Sequence, residues 1–348
     1  MSDLLKIWDL LKEKGVSDIH LFPDQQVYYR VNGVLDKLTT VVTEDQIKKI
    51  ILSTSTPKAR EILGYQRQVT YAENVDGIGR LRFSAFFERG RFAVSLRVIS
   101  DRFFELDDLG INDLAKKIFS QHSGLILVGS PSCEGKSSTI ASILNYMNQN
   151  YERNIYTIEN PVEFVYKDEK AAFIQRSIPV DVSDFYNGLL EAYRVDPDVV
   201  VTDSISYTDT VNQALNLCES GCTVIAATDG GDSLQIIERL ISMRPPEERD
   251  NVRQRLSAHL KMIISQRLVP LNDNISRKAI FDILINTVQM KNLIKNNNMS
   301  LFRSIQAQNE AAGMRTFDNQ LKNLLRKHMI TQKTALEFAI DKTNINVI

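Results

Sequence analysis

The chain has 348 residues, with 42 basic and 43 acidic side chains and a formal net charge of −1. This length accommodates two domains with separate cores, and the balanced charge excludes a strongly basic, nucleic-acid-binding chain. Three cysteines, an odd number in a long chain, argue against a disulfide framework and for a reducing compartment. We expect a cytoplasmic chain without membrane insertion, because no apolar run approaches about 20 residues and the N-terminus lacks a signal-peptide pattern.

The first hundred residues predict a small α+β domain over 1–99. Apolar residues recur at helical spacing up to Gly15, which is placed to end that helix. Short alternating runs then predict strands, and Asn32 with Gly33 forms a typical two-residue hairpin turn between two of them. Residues 44–65 predict a pair of helices between strands.

A charged stretch without clear periodicity, residues 100–113, is the predicted linker to a second domain over 114–348. In that domain continuous β-branched runs alternate with helical segments, which indicates a mostly parallel sheet covered on both faces. We expect the chain to be largely helical from about residue 245, with an amphipathic run at 247–268. Cys218 and Cys222 could ligate a metal from one helix face, but their isolation favours small buried residues.

A phosphate-binding loop is predicted after the apolar strand near residue 124. The segment GSPSCEGKSS, residues 129–138, lies between that strand and a helix, as in a P-loop. In such a loop backbone N–H groups bind phosphates, the Lys136 amine contacts their oxygens, and the Ser137 hydroxyl holds Mg²⁺. The predicted nucleotide-binding residues are Ser132, Cys133, Glu134, Gly135, Lys136, Ser137 and Ser138.

Two positions of this loop depart from the strict P-loop pattern. Ser130 stands where the spacing requires the first glycine, and Cys133 where many such loops carry a central glycine. Because glycine allows close wrapping and positive φ, we expect a tighter or misshapen loop. Glu134 adds a carboxylate beside the predicted phosphate site.

Segments in the same order along nearly the whole chain resemble the signatures of the type IV pilus retraction ATPases, the PilT and PilU twitching-motility motors of the secretion ATPase superfamily. The matching segments are SDIHL (17–21), VNG (31–33), GRLRFSAF (79–86), TIENPVEF (157–164), DPD (196–198), ISQRL (264–268) and GMRTFD (313–318). Other segments, including DILINT (282–287), resemble PilU more than PilT. The resemblance implies a PAS-like N-terminal domain, a RecA-like P-loop domain, and binding of ATP or ADP with Mg²⁺.

The resemblance also implies roles for residues outside the loop. Glu159 and Glu163 keep the family's acidic box near metal and water, although its aspartate is Asn160 here. A solvated or ion-paired loop acid is the plainer alternative for Glu163. Arg82 and Arg97 resemble arginines that reach a neighbouring subunit's nucleotide in trans, and a surface or interface role is the alternative.

Three catalytic elements depart from the family pattern together. After DPD the family has a Gly-Glu pair whose glutamate polarises the attacking water, and here Asp203 and Ser204 occupy those positions. Serine is a poor base near neutral pH. Asp203 is a candidate catalytic acid that could shift to substitute, although its side chain is expected on the opposite strand face. The two histidines of the family's histidine box are Cys222 and Asp229 here.

Two functions remain open at this point. The favoured one is a motor homologue with weak or absent hydrolysis, ring-forming and working with a catalytic PilT-like paralogue. The alternative is an active hexameric ATPase that drives pilus retraction, which Lys136 and Ser137 support. In either case the resemblance implies a homo-oligomer, an inner-membrane pilus platform protein as partner, and a cytoplasmic position at that membrane. A nucleotide-sensing scaffold and a DNA translocase are less compatible with the sequence.

Overall fold

The computed structural model describes residues 2–12, 15–31, 33–100, 102–273 and 276–345, with side chains from residue 7. The chain divides into two units. One contains Met1–Arg102, Ile158–Val165 and Gln175–Asp184. The other contains Phe103–Thr157, Tyr166–Ile174 and Phe185–Ile348.

The N-terminal unit is built on a six-stranded antiparallel sheet with the strand order β3-β2-β1-β6-β5-β4. Alternating residues such as Ile19 and Leu21 of β1 are fully buried, so one face of the sheet forms the core of the unit with its helices. The elements are α1 (Ser2–Lys12), β1 (Val16–Leu21), β2 (Gln25–Val31), β3 (Val34–Val42), α2 (Glu44–Thr54), α3 (Pro57–Gln66), β4 (Gln68–Val75), β5 (Gly79–Glu88) and β6 (Arg91–Val98). The predicted α+β class is confirmed.

Local signals explain the predicted helix pair. Thr43 accepts a hydrogen bond from the N–H of Gln46, whose side chain accepts one from Thr43 N–H, and this capping box begins α2. Thr56 caps α3, and Pro57 occupies its first turn. At the predicted hairpin Gly33 has a φ of 87°, while Asn32 lies outside the described residues.

The second unit contains a seven-stranded sheet with the order β13-β12-β7-β11-β10-β8-β9. Strands β12, β7, β11 and β10 run parallel, and β13 pairs antiparallel with β12. The strands are β7 (Gly124–Gly129), β8 (Asn154–Glu159), β9 (Ala172–Ser177), β10 (Val199–Thr202), β11 (Thr223–Thr228), β12 (Leu260–Pro270) and β13 (Arg277–Ile285). The predicted mostly parallel sheet is confirmed, and every residue of β7 and β11 is buried as expected for central strands.

Helices cover this sheet and form most of the C-terminal part. They are α4 (Asp113–Lys116), α5 (Lys136–Asn150), α6 (Phe185–Ala192), α7 (Thr208–Glu219), α8 (Ser233–Ser242), α9 (Arg249–His259), α10 (Val288–Lys295), α11 (Phe302–Gln308), α12 (Phe317–Arg326), α13 (Gln332–Phe338) and α14 (Lys342–Ile345). Within the described residues, no helix combines the length and apolarity needed to cross a bilayer. Of the predicted linker 100–113, Leu106, Leu109 and Ile111 are buried in the core of this unit.

The prediction of a helical run at 247–268 is wrong in its second half. Helix α9 ends at His259, and β12 continues directly from Leu260. Met262, Ile263 and Ile264 are all fully buried, because this strand lies between β7 and β13 and both of its faces are covered. The C-terminal part predicted from about residue 245 is therefore helical apart from β12 and β13.

Candidate nucleotide site

The parallel register brings the ends of β7 and β11 to one edge of the sheet, beside the middle of β12. Gly129, the last residue of β7, is level with Thr228 of β11 on one side and Ser265 of β12 on the other. The residues that follow are therefore neighbours at the carboxyl edge, where parallel sheets bind ligands. This edge carries the predicted P-loop.

The P-loop wraps with positive φ angles at Cys133 (65°) and Gly135 (90°). Cys133 thus adopts the left-handed conformation that favours glycine, at a cost of about 1–2 kcal/mol. Gly135 precedes α5, and no side chain of the described residues caps this helix start. The first-turn N–H groups are therefore available to an anion, and this arrangement fits a phosphate group.

Gln266 on β12 fixes the loop from the neighbouring strand. Its buried amide donates to the carbonyl of Glu134 at 2.6 Å and accepts from the Thr139 hydroxyl on α5. A Cβ at position 135 would lie 2.7 Å from Gln266 Nε2, so another residue there would displace the Gln266 amide and strain the positive φ. The Glu134 carboxylate accepts from the backbone N–H of Leu268, which directs that acid toward β12.

Lys136 is held by two oxygen atoms. Its Nζ donates to the Ser130 carbonyl and to Asp229 Oδ1, both at 2.9 Å. The other carboxylate oxygen of Asp229 lies 3.7 Å from a guanidinium nitrogen of Arg239 on α8. Asp229, which we predict to stand at the position of the family's second histidine, is thus bonded to the P-loop lysine.

The remaining P-loop residues lie on the loop and the first turn of α5. Ser132, Cys133 and Ser137 are exposed, and Ser138 is half-buried with its carbonyl accepting from Ser142 Oγ. The exposed hydroxyl of Ser137 directly follows Lys136, the position expected for a Mg²⁺ ligand.

Asp203 and Ser204 follow the end of β10 at Thr202. The Ser204 hydroxyl shares a hydrogen bond of 2.8 Å with the Ser206 hydroxyl and accepts from the Ser206 N–H. Both side chains are half-buried. Position 204 therefore contributes a hydroxyl held by its own turn, with no carboxylate to orient water.

The predicted acidic box lies in the N-terminal unit together with Arg82. Glu163 Oε1 accepts from Arg82 at 2.7 Å, and both side chains are largely buried. Arg80 on the same strand donates to the carbonyls of Val162 and Glu163, each at 2.7 Å, and burial lowers the pKa of its guanidinium. This segment is thus anchored through its backbone and its acid.

The other predicted site residues of this unit are also paired. Glu159 accepts from the side-chain amide of Gln175 at 3.2 Å. Arg97 on β6 donates to Asp18 on β1 at 2.6 Å across the strand pair. Within one chain, then, both predicted trans arginines contact carboxylates of their own unit, and their role toward a neighbouring subunit stays a prediction.

Two residues of the site were missed by sequence reasoning. Gln266 lies 127 positions from Thr139, and Arg239 lies on a helix that no motif marks. Gln266 belongs to the ISQRL segment (264–268), and the family resemblance of this segment is a signal that could have identified it. Nothing in the sequence around Arg239 pairs it with Asp229.

A strand, a Gly-Lys-Ser turn and a helix at the edge of a parallel sheet define a P-loop nucleotide-binding protein. The chain belongs to the Type II/IV secretion system protein family, whose model matches residues 4–333. This confirms the resemblance drawn from the short segments and the fold class expected from it.

Individual relatives refine this assignment. The chain is 28% identical to the type IV pilus ATPase PilU of Pseudomonas aeruginosa, over 99% of this chain and 90% of that protein. It is 29% identical to the type IV pilus retraction ATPase PilT of the same organism, over 97% of this chain and 98% of that one. A crystal structure of the pilus retraction motor PilT with bound ADP superposes with a TM-score of 0.87 and 31% identity, covering 99% and 98% of the two chains.

Proposed function

We propose that this chain is a PilU- or PilT-like component of the type IV pilus retraction machinery and that it hydrolyses ATP weakly or not at all. The pilus role is supported by matches that span nearly the full length of two pilus motors and of a solved PilT structure. The observation that carries the weak hydrolysis is Ser204, a hydroxyl bonded to Ser206 where the family has its water-orienting glutamate. Phosphoryl transfer depends on such positioning, so its loss is costly.

The P-loop of this chain would hold ADP or ATP with Mg²⁺. The uncapped N-terminus of α5 and the amine of Lys136 supply phosphate ligands, and Ser137 supplies a hydroxyl for the metal. The related PilT structure with bound ADP supports nucleotide as the ligand. Bound Mg²⁺ would neutralise phosphate charge, while the chain's own residues orient the phosphates.

The active ATPase remains the second candidate, and a specific contact favours it. Glu163 is largely buried and held by Arg82, so the acidic box keeps a fixed carboxylate. Asp203, directly before Ser204, is the other acid that could orient water. By the alternation of a strand we expect its side chain on the face opposite to that of Ser204.

The assembly belongs to the same proposal. A ring of identical chains, six by analogy with the family, would place Arg82 and Arg97 near a neighbour's nucleotide. The ring would work beside a catalytic PilT-like paralogue, against an inner-membrane pilus platform protein on the cytoplasmic side. No nucleic acid and no inserted segment take part in this scheme.

Gene replacement in the source organism tests the function. Deletion should reduce twitching motility or retraction frequency, and a Lys136→Ala allele should restore both to the level of the wild-type allele, because little of the work depends on hydrolysis at this site. Asp113→Asn, a change at an exposed carboxylate of α4, is the matched control. Unchanged pili after deletion would contradict the pilus role. Lys136→Ala behaving like the deletion would favour the active motor.

A further inference from the structure

Asp229 is placed at the phosphate site by a glycine turn whose backbone is closely packed. It directly follows β11, level with the end of β7, and precedes Gly230 and Gly231. A Cβ on Gly230 would lie 2.3 Å from Ile236 Cγ1, and one on Gly231 would lie 2.5 Å from Gln235 Oε1. The backbone of this turn packs against α8, which places Asp229 beside Lys136.

Asp229 occupies a hydrogen-bonding position on the Lys136 amine that a phosphate oxygen would need. Its Oδ1 accepts from Lys136 Nζ at 2.9 Å, and this amine is the P-loop's only side-chain cation at the start of α5 among the described residues. A nucleotide must either displace the carboxylate or share the amine with it. In both cases an added negative charge lies within a few ångströms of the phosphates, which opposes their binding.

Arg239 gives the displaced carboxylate a second cation. It lies 3.7 Å from Asp229 Oδ2, and Asp229 is about half exposed at 49% of its side chain, so there is room for it to move away from the lysine. The exchange needs no backbone movement of the glycine turn.

We propose that Asp229 is an internal competitor for the P-loop lysine and sets a low affinity of this site for nucleotide. The proposal rests on the nucleotide site described under the proposed function and adds the residue that governs its occupancy. Loading of the site would then respond to whatever draws Asp229 toward Arg239.

Titration of the full-length protein with fluorescently labelled ADP tests the proposal. Asp229→Asn should bind labelled ADP at least about fivefold more tightly than wild type, which is about 1 kcal/mol. Asp229→Glu keeps the charge and should stay close to wild type. Asp250→Asn removes an exposed carboxylate of α9 and should change nothing. Unlabelled adenosine, which has no phosphate, is the competitor control. Its dissociation constant, obtained by displacing the probe, should be the same for wild type and Asp229→Asn.

The outcomes separate this proposal from the one on which it rests. Equal labelled-ADP affinity in wild type and Asp229→Asn, with weaker binding by Lys136→Ala, overturns the competitor role and leaves the nucleotide site standing. Absence of binding in wild type and Asp229→Asn alike, with unchanged thermal melting, overturns both. Tighter binding by Asp229→Asn that disappears in the Asp229→Asn, Lys136→Ala double variant supports the competitor role.

Discussion

Asp282 on β13 is a buried carboxylic acid outside the phosphate loop. Its Oδ1 accepts from the N–H of Ser233, at the start of α8, and from the side-chain amide of Gln306, both at 3.1 Å. Burial, with a smaller contribution from the neighbouring charge of Asp232, raises the pKa of Asp282 to about 6, although the hydrogen bonds from Ser233 and Gln306 oppose the shift. The charged form is thus the costly one in the folded protein.

The Asp282→Asn variant should show how stability depends on this acid. A folded-state pKa above the unfolded value gives stability that is present below about pH 4 and is lost as pH rises through about 6. The free energy of unfolding of Asp282→Asn, relative to that of wild type, should therefore increase by on the order of 2–3 kcal/mol between pH 4 and pH 7. Urea unfolding at a series of pH values measures the difference. Asp113→Asn is the exposed control, and parallel curves for wild type and Asp282→Asn would contradict the prediction.

Single residues of the site were predictable where a local motif marks them. Lys136 and Ser137 follow from one short segment, because the P-loop is contiguous in sequence. The ion pair between Lys136 and Asp229 spans 93 positions and depends on the register of β7 with β11. The sequence identified Asp229 only as a missing histidine, and its partner became visible only in three dimensions.

At the scale of elements, the contact of α8 with the end of β7 decides the geometry of the site. Ile236 of α8 is fully buried between Gly129 and Gly230. A Cβ on Gly129 would lie 2.2 Å from Ile236 Cδ1, closer than packed atoms can approach. The glycine directly before Ser130 is therefore required by packing, whatever its place in the loop pattern.

Gly129→Ala should destabilise the fold by about 1–3 kcal/mol, because Ile236 has glycine contacts on both sides and little room to turn. Gly64→Ala on α3 is the matched control, since no atom lies within 4 Å of its added Cβ. In a helix that change should stabilise by about 0.5–1 kcal/mol. Chemical unfolding compares the two variants with wild type. Equal midpoints for both variants would show that α8 is not packed on β7 as described.

Helices and strands could be predicted where apolar residues recur with a single spacing. The helix pair α2 and α3 has caps and apolar spacing that are local to the sequence. The amphipathic pattern of the preceding residues continues into 260–268 and predicts a helix there. Their strand state depends on pairing with β7 and β13, from other parts of the chain, and no local propensity reveals that pairing.

At the scale of the whole molecule, the chain matches a pilus retraction motor along nearly its full length. The family model covers residues 4–333, and the PilT structure matches 99% of the chain. The P-loop has its lysine and serine, whereas Ser204 stands two residues after the end of β10. The proposed weak hydrolysis rests on this contrast between a fold that matches along the chain and a serine at position 204.

Phosphate release by the purified full-length protein with Mg-ATP measures the rate of ATP hydrolysis directly. Ordinary enzymes turn over about 1–10³ times per second. We predict turnover below about 0.01 per second, because Ser204 stands where the family resemblance places a water-orienting glutamate, and we predict no further loss in Lys136→Ala. Turnover of about 1 per second or faster in wild type, abolished by Lys136→Ala, would contradict the prediction and establish an active motor.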